Sequence, residues 1–149
     1  MVDHAALGAR GEPFVMPIEV GKVREYARAI GSTHAGYLED DEPVVPAHFL
    51  TTTFFWEGEH GNPWDRVQMS QQRGMHAAQE YVFHGEPPRA GTKLMCTSRI
   101  DRIFEKQSSR GGALTFVEMV TEFRDLEGTL VAEAKMTAVE TAPEPAAGS

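Results

Sequence analysis

The chain has 149 residues, 41% of them hydrophobic, which is the size of one domain able to bury about 68–70% of its unfolded surface. Its 22 acidic residues outnumber 14 basic ones for a net charge of −8, and no Lys/Arg stripe stands ready to neutralise phosphates, which argues against a nucleic-acid partner. The lone Cys96 excludes an internal disulfide framework, the first 20 residues lack the basic start and apolar run of a secretion signal, and no apolar run can span a bilayer, so a cytoplasmic protein outside the membrane is expected.

Residues 1–11 show no sustained period and 141–149 are rich in Pro, Ala and Gly, so both ends are expected to be loose around an ordered domain over 12–140. In "VGKVREYARAI", Val20, Val23, Ala27 and Ile30 line one helical face, and Gly31 supplies a residue free to take the left-handed conformation that ends a helix. The run Glu39 to Glu42 reads as a solvated acidic loop. Pro46 then fits the first position of a second helix, and "AHFLTTTFFW" continues it for about three turns. With Leu50, Phe54 and Phe55 on one side and Phe49 and Trp56 on others, that helix is expected to be buried. Residues 59–74 are polar and long for a connection, which suggests a lid or a partner surface.

From Met75 onward the pattern alternates with period two. Strands are expected over 75–85, 93–104, 113–124 and 129–140, with turns at "SSRGG" and "DLEG". In the last strand Leu130, Ala132, Ala134, Met136 and Ala138 share one face, against Thr129, Glu133, Lys135 and Thr137 on the other. The sum is an α+β fold in which an antiparallel sheet curls around one apolar helix and leaves an edge for a second copy or a relative.

Four stretches in this order, "VREYARAIG" (23–31), "VVPAHF" (44–49), "MHAAQEYVFHGEPPRAGTKL" (75–94) and "RGGALTFVEMVTEFRDLEGTLVAEAKMT" (110–137), resemble the MaoC-like hydratase and dehydratase superfamily. The similarity is to its N-terminal MaoC-like or FAS1-like dehydratase subgroup, and it implies a dimeric hot-dog fold. Catalytic relatives carry a D-x-N-P-x-H loop before the central helix. Adding water to an enoyl thioester, or removing it, needs a base and an acid within reach of the water and the α-carbon, which an Asp and a His supply. Free N–H groups at the central helix's start would hold the thioester oxygen as it gains charge.

Aligned on Ile30 and Gly31, this chain has Ser32 at the Asp position, His34 at the Asn position and Tyr37 at the His position. A hydroxyl cannot carry a carboxylate's charge, and a phenol titrates near pH 10. The resemblance therefore implies the half of a two-part hydratase that shapes the acyl tunnel while a homologue carries the dyad. The remaining candidates for proton transfer are His34 and His76, set against loop-capping and surface roles. His76 and Glu80 share a strand face but stand roughly 13 Å apart, too far for a direct hydrogen bond. For binding the acyl thioester the candidates are Tyr37, Ala47, His48, Arg89 and Lys93, with Arg73, Arg89 and Lys93 available to a pantetheine-linked phosphate. His48 reads either as a tunnel residue or as a core histidine. No metal site is expected, since the histidines lack ligand spacing, and no cofactor; Cys96 reads as a small buried hydrophobe.

The expected activity is (R)-specific enoyl-CoA hydration or 3-hydroxyacyl-thioester dehydration, as the tunnel-forming half of a homodimer or of a heterodimer with a catalytic MaoC-like subunit. Two alternatives stand beside it. One is a self-sufficient hot-dog hydratase or acyl-CoA thioesterase, for which the central helix offers Glu57 and Glu59 at its far end. The other is a binding module for acyl thioesters without catalysis.

Overall fold

Period-two alternation in the second half of the chain builds one sheet, and the apolar first half packs on one of its faces. The computed structural model describes residues 1–109 and 111–143. The five strands are β1 (Phe14–Pro17), β2 (Gly74–Phe83), β3 (Lys93–Gln107), β4 (Ala113–Arg124) and β5 (Leu130–Thr141). All neighbours run antiparallel in the order β1-β3-β4-β5-β2. The four strands expected from alternation are present, and β1 is an addition. At four residues, β1 is too short to show a period, yet it buries Met16 completely while Val15 points outward.

Helix α1 (Val20–Ala29) ends where the sequence places its stop, with Gly31 at φ +73. Its buried stripe is narrower than expected. Val23 and Ala27 are fully enclosed, whereas Val20 and Ile30 are 37% and 47% exposed, because only the middle turns of this short helix reach the sheet. A four-residue α2 (Ala35–Leu38) follows.

The expected three-turn central helix is instead a 3-10 segment, Phe49–Phe55. Three consecutive β-branched residues explain the change. Thr52 Oγ1 donates to the Phe49 carbonyl at 2.9 Å and Thr53 Oγ1 donates to the Leu50 carbonyl, both bonds to the residue three back. Phe49, Leu50, Thr52 and Thr53 turn inward, while Phe54 and Phe55 at the end of the segment are 58% and 63% exposed. The two exposed rings lie 4.2 Å apart, with Lys22 Nζ 5.1 Å from the Phe55 ring centre.

The N-terminal residues are more ordered than the sequence suggests. Residues expected to form a loose N-terminus make a 3-10 turn, His4–Ala6, and bury Val2 and Ala6 against Val67, Ile100 and Val117. Backbone bonds fasten them: Asp3 N–H to Val67 O at 2.8 Å, Gly8 N–H to Ile100 O at 2.9 Å and Gly11 N–H to Ser98 O at 3.0 Å. One turn plus isolated bridges leaves no period to read. Of the tail expected over 141–149, Thr141 closes β5 and 144–149 lie outside the described residues.

The long connection after the central segment is packed, and its centre is a 3-10 turn, Pro63–Val67, with Asn62 Oδ1 accepting from the Trp64 N–H. Gly11 and Gly61 meet so closely that a Cβ on Gly11 would lie 1.9 Å from the Gly61 oxygen. At its far end, buried Glu140 accepts from Ser70 N–H at 2.9 Å and from Arg73 at 2.8 Å. Burial alone would raise this carboxyl's pKa, but the Ser70 N–H, Arg73 and the N-terminal ammonium together hold it below the usual range. Its contribution is therefore complete above about pH 4.3 and is lost as pH falls through the lower folded-state value. Glu140→Gln is expected to cost about 2 kcal/mol at neutral pH and to flatten this acid limb, read by urea unfolding from pH 7 down to about pH 2. Among the described residues no helix is long and apolar enough to cross a membrane.

A groove between the central segment and the sheet

The two faces of the sheet differ in chemistry. On the outer face Glu122 accepts from Arg99 and Arg124, both at 2.8 Å, and Lys135 pairs with Glu80 at 3.3 Å. The hydrogen bond from Arg124, with both guanidinium charges added, holds the Glu122 carboxyl below its ordinary pKa against the opposing effect of burial. The inner face carries Met119, Thr121 and Phe123 of β4 opposite Met136, Ala134 and Ala132 of β5. A bulge at Ala77 resets the alternation of β2, so His76, Gln79, Tyr81 and Phe83 join this inner row opposite Ala138, Met136, Ala134 and Ala132. This corrects the expected pairing of faces: His76 points inward and Glu80 outward.

Under the 3-10 segment, Leu50, Thr53 and Phe54 face Met119, Phe123 and Met136 across a cavity of about 250 Å³. It opens beside α1 into a mouth of about 700 Å³ bounded by Tyr26, Ala47, His48, Thr51, Gln79 and Tyr81. At the other side a cavity of about 340 Å³ runs on between Trp64, Met69 and Met75. His76 lines all three, so they form one groove along the inner face.

Two side chains meet at the mouth. Tyr26 Oη bonds to His48 Nδ1 and lies 3.2 Å from the His48 carbonyl oxygen. Burial pushes both phenols above their ordinary pKa near 10, with repulsion from Tyr81 added at Tyr26 and a Thr51 hydrogen bond opposing it at Tyr81. Both therefore stay neutral hydroxyls at physiological pH. Among the described residues no acceptor stands against the N–H groups of Ala47 or His48, which lie at the start of the 3-10 segment. Glu57 lines the inner cavity at its far end and accepts from Asn62 Nδ2 at 3.2 Å.

The structure thus brings together Ala47, His48 and His76 of the sequence candidates. The others stand elsewhere. His34 caps α2, its Nδ1 accepting the Gly36 N–H at 3.0 Å, and its ring lies 5.2 Å from that of Tyr37. Ser32 Oγ accepts the His34 N–H at 3.3 Å. None of these three lines the groove. Arg89 donates to the Glu42 carbonyl at 3.1 Å and lies 3.9 Å from Asp40, so the acidic loop engages it. Lys93 begins β3 at the surface, opposite Pro17, and Arg73 is committed to Glu140. Cys96 is fully buried and its thiol is pushed up to about 12 by burial, the chemistry of a core residue. Tyr26, Gln79, Tyr81 and Met119 are groove residues that sequence reasoning missed; Tyr26 could have been found, since it lies on the same side of α1 as Val23.

A family model described as "FAS1-like, dehydratase domain region" matches residues 5–134. No match is found among curated protein sequences. Among solved structures, a chain of the HadBC (3R-hydroxyacyl-ACP dehydratase) complex from Mycobacterium tuberculosis superposes with a TM-score of 0.70 at 23% identity, covering 90% of this chain and 96% of that one. A chain of the ChsH1-ChsH2 complex from the same organism gives 0.68 at 14% identity, covering 92% and 88%. The (R)-hydratase from A. caviae involved in PHA biosynthesis gives 0.61 at 13%, covering 89% and 94%. At these identities the structures establish a shared hot-dog fold, while the family match spans most of the sequence. The chain belongs to the FAS1-like dehydratase domain region family and has a hot-dog fold.

Proposed function

We infer that this chain is the tunnel-forming half of an (R)-specific enoyl-thioester hydratase or 3-hydroxyacyl-thioester dehydratase, and that a homologous hot-dog chain supplies the proton-transfer pair. The observation that carries this reading is the separation of groove from loop. An apolar groove runs under the central segment, and Ser32 and Tyr37, which the resemblance aligns with the dyad positions, lie outside it, as does His34 between them. The substrate is an acyl thioester of coenzyme A or an acyl carrier protein. Its chain lies against Met119, Phe123 and Met136, and its carbonyl oxygen takes the N–H groups of Ala47 and His48. No metal or cofactor is needed for this addition of water.

The partner joins along β2, the longer of the two edge strands of the sheet, where Met75 and Val82 are 58% and 41% exposed. The HadBC and ChsH1-ChsH2 structures, each a complex of differently named chains, support a heterodimer over a homodimer. A cytoplasmic setting follows from the coenzyme A or carrier thioester it would serve.

Purified alone, the chain is expected to leave crotonyl-CoA unhydrated, and adding a hot-dog homologue with an intact D-x-N-P-x-H loop should start turnover. Robust hydration by the chain alone would overturn the accessory role. A second reading has one observation in its favour: Glu57 reaches the groove, where a carboxylate could activate water for thioester hydrolysis. Release of free coenzyme A by the isolated chain, lost in Glu57→Gln, would select that reading instead.

A further inference from the structure

Tyr26 and His48 meet through two contacts that share one hydroxyl. Tyr26 Oη is hydrogen-bonded to His48 Nδ1 and stands 3.2 Å from the His48 carbonyl oxygen. A phenol has one proton to give and a carbonyl oxygen can only accept. Satisfying both contacts sends the phenol proton to the carbonyl and requires Nδ1 to carry a hydrogen and donate it to Oη. A neutral imidazole protonated at Nδ1 has a bare lone pair on Nε2. Among the described residues nothing bonds His48 Nε2, and His48 is an exposed residue of the groove mouth.

The arrangement is held in place by packing as well. The Tyr26 ring lies 5.5 Å from the His48 ring and edge-on to buried Phe49 at 5.4 Å, so the hydroxyl is presented from a fixed base. Burial keeps the phenol neutral and able to donate. His34 shows the opposite arrangement: its Nδ1 accepts a backbone N–H, which places the hydrogen of the neutral ring on Nε2.

We propose that Tyr26 positions His48 as a hydrogen-bond acceptor for a hydroxyl on the bound acyl chain, so that the groove distinguishes hydroxyacyl from plain acyl thioesters. The proposal rests on the acyl-thioester reading above and adds its selectivity. Thr51, Gln79 and Tyr81 line the mouth with His48 and continue into the inner cavity, where Leu50, Met119, Phe123 and Met136 supply the apolar wall. A donor hydroxyl close to the thioester reaches the lone pair, and an unsubstituted chain leaves that lone pair to water.

Two measurements test it on the full chain. Nitrogen-15 NMR above the titration range of imidazoles should show His48 protonated at Nδ1 and His34 at Nε2, an internal contrast within one sample. Calorimetry with 3-hydroxyoctanoyl-CoA and octanoyl-CoA should give the hydroxylated ligand about tenfold tighter binding, the size of one hydrogen bond. Tyr26→Phe keeps the ring against Phe49 and should release His48 toward the Nε2–H form and reduce the preference several-fold; His48→Ala should erase it. An Nε2–H tautomer at His48 in the unaltered protein, or equal affinity for the two ligands, would overturn the proposal while leaving the groove assignment standing. Failure of both ligands to bind would instead sink the acyl-thioester reading.

Discussion

Met136→Trp should empty the groove of long acyl chains. Met136 projects from β5 into the cavity of about 250 Å³ beneath Leu50 and Phe54, where the larger indole occupies the space a hydrocarbon chain would fill. Each methylene kept out forfeits about 0.8 kcal/mol, so excluding three weakens binding roughly fiftyfold. A short acyl thioester that stops at the mouth should lose far less. Titrating butyryl-CoA and octanoyl-CoA against the variant separates the outcomes: selective loss of the longer ligand locates the chain, and equal affinity with the unaltered protein places it elsewhere.

Phe123→Ala should be the most damaging single truncation for stability. Phe123 is fully buried, faces Ala132 across the β4–β5 ladder, and joins Phe49, Leu50, Leu94 and Cys96 in the main core. Deleting a fully enclosed ring costs about 3–5 kcal/mol, through lost transfer energy plus the cavity left behind. Equilibrium urea unfolding should show the midpoint fall with little change in slope. A cost below about 1 kcal/mol would mean that the central segment does not pack on β4 as described.

The legible part of this fold is the part governed by a simple period. The β5 alternation assigned Ala132, Ala134, Met136 and Ala138 to one face, and that face became the groove wall. Helix α1 and its stop at Gly31 were equally plain, because propensity, apolar spacing and a left-handed residue agree there. What failed to show were local departures from a period. One bulged residue, Ala77, moved Glu80 to the opposite face from His76, and no composition signal marks a bulge. Three threonines tightened the central helix into a 3-10 segment, so a reading by helical wheel buried Phe54 and Phe55, which lie at the surface. The N-terminal residues fold on long-range bonds to Ser98 and Ile100, which no short window contains.

The site divides in the same way. Ala47 and His48 came from the resemblance and His76 from the residues themselves, and the structure gathers all three. Arg89 attracted attention as a cation, but the carbonyl of Glu42 and the carboxylate of Asp40 already engage it, a partnership set by loop geometry. Tyr26 was overlooked because a tyrosine on an apolar helix face reads as core; its hydroxyl's two contacts with His48 exist only once α1 crosses the start of the central segment.

The central claim is that an acyl chain lies under the 3-10 segment while loop 32–37 stays away from the chemistry. A crystal structure with a bound acyl-CoA, grown with the partner chain where one is found, tests it most directly. The account predicts acyl density between Leu50 and Met136, with the thioester oxygen at the N–H groups of Ala47 and His48 and the reacting carbons facing groups of the partner. Acyl carbons in contact with His34 or Tyr37, or a chain lying outside the groove, would contradict it.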